Sequence, residues 1–194
     1  VVTFENGYCY GCQQTQATVV TSFGTVAGFS KVAQLSYAAP SQSYGWAERR
    51  VSATNQRLYI AGPTWNWNGQ VQQNSVIQVV DITNPAGLLV KGADVPVEGQ
   101  ITSRWQMDEY QGVLRVVSQY GNTWQNGTKN PKVQTFQVQN ASTVVPLGHT
   151  DLILPKPESL RSVRFDGVRG YAITAERTDP LYTIDLTDAA HPKQ

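Results

Sequence analysis

An all-β fold made of repeated antiparallel sheets is what this 194-residue sequence predicts, on three observations. Gly, Ser, Thr, Asn, Gln and β-branched residues dominate while Lys, Glu and Leu are sparse, a balance that favours strands and turns over helices. Apolar triplets recur after charged or Gly-containing turns, at Leu58-Tyr59-Ile60, Leu114-Arg115-Val116 and Tyr171-Ala172-Ile173, about 56 residues apart. Turn-forming residues fall between the apolar runs, at Asn55-Gln56, Thr83-Asn84-Pro85, Asn126-Gly127 and Asp166-Gly167. A period of roughly 40 to 50 residues stretched by loops is that of propeller blades. The expected architecture is therefore a β-propeller-like array of four-stranded antiparallel blades, about three to four of them.

The blades are expected at residues 1–44, 45–99, 100–157 and 158–194 of one domain. In the first, Val1 to Phe4, Ala17 to Ser22 and Lys31 to Ser36 read as second, third and fourth strands. The second reads as Trp46 to Ala53, Arg57 to Ala61, Ser75 to Asp81 and Leu88 to Ala93. The third repeats these as Ile101 to Met107, Gly112 to Ser118, Lys132 to Val138 and Thr143 to Leu147. The last supplies Ser159 to Phe165, Gly170 to Thr174 and Leu181 to Asp185, with no fourth strand. The chain opens at Val1 without a Met and stops at Gln194 just after a strand-like run, so both ends look cut. A ring of fewer than about four blades exposes an apolar blade face at each end. The propeller is thus expected to be incomplete, its ring closed by missing blades or by another chain.

With 40% hydrophobic residues the chain can bury an ordinary core. Fifteen Lys and Arg against fourteen Asp and Glu leave a formal charge of +1 with no basic run, so nucleic acid is not an expected partner. No stretch approaches the ~20 apolar residues of a membrane helix, and no signal peptide opens the chain. The two cysteines, Cys9 and Cys12 in NGYCYGC, are expected to close a small structural disulfide; free thiols, half a zinc site or a redox pair are the alternatives. His149 and His191 have no ligand spacing, so no metal or other cofactor is expected.

Two segments, QMDEYQGVLRVVSQYG (106–121) and SLRSVRFDGVRGYAITAERTDPLYTIDLTDAAHPK (159–193), carry a family resemblance. The run Ser-Val-Arg-Phe, then Gly, Arg-Gly-Tyr, Asp-Pro-Leu, Ile-Asp-Leu and Pro-Lys resembles a secreted bacterial β-propeller family, largely uncharacterised and distantly related to WD40 repeats. It covers roughly residues 50–194. The resemblance implies an exported protein, secreted or held in the cell envelope, with no established enzymatic activity and no agreed catalytic residues.

The connections between second and third strands share aromatic, Asn and Gly residues: NGYCYGC, GPTWNWNGQ and GNTWQNGTKN. In a propeller such connections emerge on one face, which would gather Tyr8, Tyr10, Trp65, Trp67 and Trp124. Exposed rings among amides suit carbohydrate or peptide binding, whereas the simpler role for each ring is to cover its own blade. Arg104, Arg161 and Arg164, with Asp108, Glu109 and Asp179, form a second constellation. Strand alternation lets only one of Arg161 and Arg164 line the central channel. An arginine ring there would hold an anion, but pairing with Asp108, Glu109 or Asp179 between blades is the expected role. Asp108-Glu109 and Asp166 are expected at tight turns, and Asp81-Ile82-Thr83 and Asp185-Leu186-Thr187 as repeated Asx turns. No Ser-His-Asp set, nucleophile elbow or phosphate-binding glycine loop is present.

These features point first to an exported, non-catalytic binding or scaffold module with an aromatic loop face. The alternative is a hydrolase or lyase whose active site lies at the channel mouth and is completed by further blades.

Overall fold

In the computed structural model the described residues are 1–7, 15–26, 28–38, 49–65, 71–120, 129–156, 158–175 and 181–194. They form four antiparallel sheets that follow one another along the chain. The first sheet has β1 (Val2–Gly7), β2 (Thr15–Gly24) and β3 (Ser30–Ala38); the second has β4 (Arg50–Ala53), β5 (Arg57–Trp65), β6 (Val71–Asp81) and β7 (Val90–Val97). The third has β8 (Met107–Tyr110), β9 (Val113–Ser118), β10 (Lys132–Asn140) and β11 (Thr143–Asp151), and the fourth has β12 (Leu160–Asp166), β13 (Arg169–Thr174) and β14 (Leu181–Asp185). Every sheet is a simple meander in chain order, as propeller blades are. No helix among the described residues is long and apolar enough to cross a membrane.

The triplets explain how the sheets stack. Successive strand residues point to opposite faces, so a sheet buried on both sides needs an unbroken apolar run. In β5, Tyr59 and Ala61 join Ile77, Val79, Leu114 and Val116 in the core between the second and third sheets. Ile60, between them in sequence, joins Val80, Val20 and Tyr37 in the core between the first and second. Val117 turns the other way from Val116 and packs with Val163, Ala172 and Ile184 between the third and fourth. All the apolar members of the first two triplets except Leu58 are fully buried.

Short turns set the register. Tyr110 pairs with Val113 across Gln111 (φ 51°) and Gly112 (φ 76°), two left-handed residues as a type I′ hairpin requires. Asp81 and Asp185 end their strands as Asx turns, each accepting the backbone N–H two residues on, at 2.8 Å from Thr83 and 2.9 Å from Thr187. The turns after the third strands of the third and fourth sheets, β10 and β14, reach back onto the preceding sheet: the Ala93 N–H donates to Ala141 O at 2.8 Å, and the Thr135 hydroxyl donates to Ala189 O at 2.6 Å.

Two expectations need correction. The first strand of the third sheet does not run from Ile101 to Met107; Arg104–Gln106 is a single 3₁₀ turn and β8 begins at Met107. Its cause is a capping box in which the Ser103 hydroxyl and the Gln106 amide satisfy each other's backbone N–H groups. Asp108 and Glu109 consequently stand within β8 and not at a turn. Beyond β14, Lys193 pairs with Asp185 in an isolated antiparallel bridge (2.7 and 3.0 Å), on the edge where a fourth strand would lie.

Candidate functional site

The edge strands β1, β4, β8 and β12 of the four sheets converge on one cavity of about 600 Å³. Its walls carry Val2 from the first sheet, Val51 and Leu58 from the second, Met107 and Asp108 from the third and Phe165 from the fourth. Arg104, Trp105 and Arg164 complete it. This is the size of a small-molecule site, with apolar walls and a few polar groups.

Gln106 builds the third-sheet side. It is buried at 4% exposure, and its Oε1 accepts the N–H groups of Thr102 and Ser103, both at 2.8 Å, and the Thr102 hydroxyl at 3.0 Å. Its amide donates to Val117 O at 2.9 Å in β9. One side chain therefore fastens the 3₁₀ turn to the sheet and turns Arg104 and Trp105 outward. Trp105 is 46% exposed, with the guanidinium carbons of Arg104 and Arg164 at 4.1 and 3.7 Å from its ring centroid. The rings' negative faces favour such cations.

Asp108 lies opposite Arg115 in the β8–β9 register, and the two form a bidentate pair at 2.7 and 2.6 Å. Arg115 is 2% exposed; it also donates to Gly167 O in the β12–β13 turn, and its guanidinium lies over Phe165 at 4.8 Å. A buried cation needs such partners. The neighbouring Glu109 accepts from Arg57 at 2.8 and 3.1 Å and from the Tyr59 hydroxyl at 2.6 Å, joining the third sheet to the second. Burial and the Glu109 hydrogen bond hold the Tyr59 hydroxyl far above the ordinary tyrosine range, so it stays a donor.

Against the sequence expectation, the partners of Asp108 and Glu109 are thus Arg115 and Arg57, and not Arg104, Arg161 or Arg164. Register sets the first pair, since β9 lies directly beside β8; Glu109 reaches Arg57 on β5 of the neighbouring sheet, whereas the other arginines lie on the turn before β8 or on β12. Arg164 lines the cavity, while Arg161 is exposed and does not. Trp65 is the last residue of β5, paired through its backbone with Val71. Tyr8, Tyr10, Trp67, Trp124, Cys9, Cys12 and Asp179 lie outside the described residues. Sequence reasoning missed Arg57, Tyr59, Trp105 and Gln106. It passed over Arg115 too, although a charge inside the apolar Leu114-Arg115-Val116 triplet is the signal of a buried, partnered cation.

Comparison with known proteins agrees with the repeated meanders. An uncharacterised protein of Methanocaldococcus jannaschii is 34% identical over 97 residues, which is 50% of this chain and 15% of that protein. An uncharacterised protein of Archaeoglobus fulgidus is 29% identical over 97 residues, 50% of this chain and 14% of that protein. Both are archaeal, in contrast to the bacterial source that the sequence resemblance implies. The chain spans about one-seventh of the length of these relatives. No solved structure matches it. The model of the beta propeller domain matches residues 5–194, nearly the whole chain and all four meandering sheets, and this protein belongs to that family.

Proposed function

We propose that this domain is a non-catalytic binding or scaffold module, with the face formed by the connections between second and third strands as its contact surface. The observation that carries the reading is the way those connections are anchored. They leave the sheets at the pairs Gly7–Thr15, Trp65–Val71, Ser118–Lys132 and Ile173–Leu181, the same corner of each meander. The sequence places Tyr8, Tyr10, Trp65, Trp67 and Trp124 at or between these anchors. Aromatic rings on rigidly based loops bind flat sugar or peptide faces at low entropic cost.

The chemistry of the cavity favours binding over hydrolysis. Asp108 is the one carboxylate among its described lining residues, and it is committed to Arg115. Two-carboxylate hydrolysis needs an opposed pair about 5 to 9 Å apart. Export of the domain accords with the Cys9-Cys12 spacing, which fits a small disulfide loop.

The test is a glycan and peptide array probed with the wild-type domain and with Trp65→Ala, Trp67→Ala and Trp124→Ala. Selective binding by the wild type that the three variants lose is the expected result. Undiminished binding by the variants would remove the loop face from consideration.

A further inference from the structure

We propose that the central cavity is a binding site for a small organic anion, an apolar body with a carboxylate or phosphate head held by Arg104 and Arg164. Three observations carry it. The cavity is walled by Val2, Val51, Leu58, Met107 and Phe165, which suit an apolar body. Its one described carboxylate is neutralised bidentately by Arg115. Among the described residues neither Arg104 nor Arg164 forms an ion pair, in contrast to Arg57 and Arg115.

Both guanidinium carbons stand within about 4 Å of one indole centroid, so they are no more than about 8 Å apart. Two like charges at that separation repel, and an oxyanion head that contacts both relieves the repulsion. Each guanidinium offers five N–H donors in a planar fork matched to carboxylate and phosphate oxygens. Contact with the one indole holds both side chains in place before a ligand arrives, which lowers the cost of ordering them. This site is separate from the loop face and stands or falls independently of it.

Isothermal titration calorimetry of the intact chain with octanoate, octyl phosphate, octylammonium and inorganic phosphate is the test. Octanoate or octyl phosphate is expected to bind with an affinity that falls as salt is raised, inorganic phosphate at least tenfold more weakly, and octylammonium not at all. Arg104→Gln and Arg164→Gln should each weaken the anion at least tenfold, whereas Arg161→Gln, outside the cavity, leaves it unchanged. Both cavity arginines are exposed, and unchanged circular dichroism and melting of the variants verifies that they fold. Equal binding of octylammonium, full binding by either cavity variant, or no binding of either octyl anion would each overturn the proposal. Loss of octanoate binding in the Trp65, Trp67 and Trp124 variants would also overturn it, by assigning the anion to the loop face.

Discussion

Gly148 in β11 lies so close to the turn after β14 that a Cβ there would stand 2.3 Å from Ala190 O. The contact is repeated one sheet earlier, where a Cβ on Gly92 in β7 would meet Ala141 O at 2.1 Å. In both places the turn after one sheet's third strand rests on the outer strand of the sheet before it. Backbone cannot yield as a flexible side chain does, so these glycines are set by close approach between sheets.

Gly148→Ala and Gly92→Ala should each destabilise the domain by about 1 to 3 kcal/mol, the range for forcing a methyl into a packed site. Urea unfolding curves with unchanged m-values measure this. Wild-type midpoints for both variants would show that the turns do not bear on the outer strands in solution.

Glu109 carries the joint between the second and third sheets, since Arg57 and Tyr59 both donate to it. The pair is mostly buried, with side-chain exposures of 14% and 9%. Glu109→Ala leaves Arg57 without its counter-charge and should cost about 3 to 5 kcal/mol. A cycle with Arg57→Met should give a coupling of at least about 1 kcal/mol. Additive losses in that cycle would mean that the ion pair contributes nothing.

Gln106 positions the exposed half of the cavity. Gln106→Ala removes the shared acceptor of two backbone N–H groups and one hydroxyl and should lower stability by about 1 to 3 kcal/mol. The same variant should weaken octanoate binding, because Arg104 and Trp105 ride on the turn it fastens. Loss of stability with octanoate affinity intact would limit Gln106 to a folding role.

Tyr37 is buried between the first and second sheets, and its hydroxyl has no hydrogen-bond partner among the described residues. Burial pushes its pKa up to about 12, with the Asp94 charge adding to the rise and Arg49 opposing it. Because the folded pKa lies above the unfolded value near 10, the native state holds this proton more tightly. Stability from this group is complete below pH ~10 and is lost as pH rises from there through 12. Tyr37→Phe should flatten that alkaline decline and, by removing an unpartnered hydroxyl, be neutral or stabilising at pH 7. Melting temperatures from pH 8 to pH 12 test both points; an unchanged alkaline slope would exclude Tyr37 as its source.

Much of the fold was readable because its signals are local. The Asx turns at Asp81 and Asp185 need only a carboxylate two residues before an N–H, and both form as expected. The strand between Ile101 and Met107 was misread because Ile101, Trp105 and Met107 alternate as a half-buried strand would. The competing Ser103-x-x-Gln106 signature was present in the same residues, and its reciprocal hydrogen bonds prevailed.

The sequence by itself determined four meandering sheets, the apolar runs that bury two of them on both faces, and the turns that end their strands. Each follows from side-chain periodicity and backbone preference within a few residues. Only the tertiary structure decided that Asp108 belongs to Arg115 and Glu109 to Arg57, and that Arg104 and Arg164 meet over Trp105. The Asp108–Arg115 pair follows from the register of the β8–β9 hairpin, whereas Glu109 with Arg57 and Arg164 with Trp105 depend on which sheets lie side by side, a relation between residues some 50 to 60 apart that no local pattern encodes.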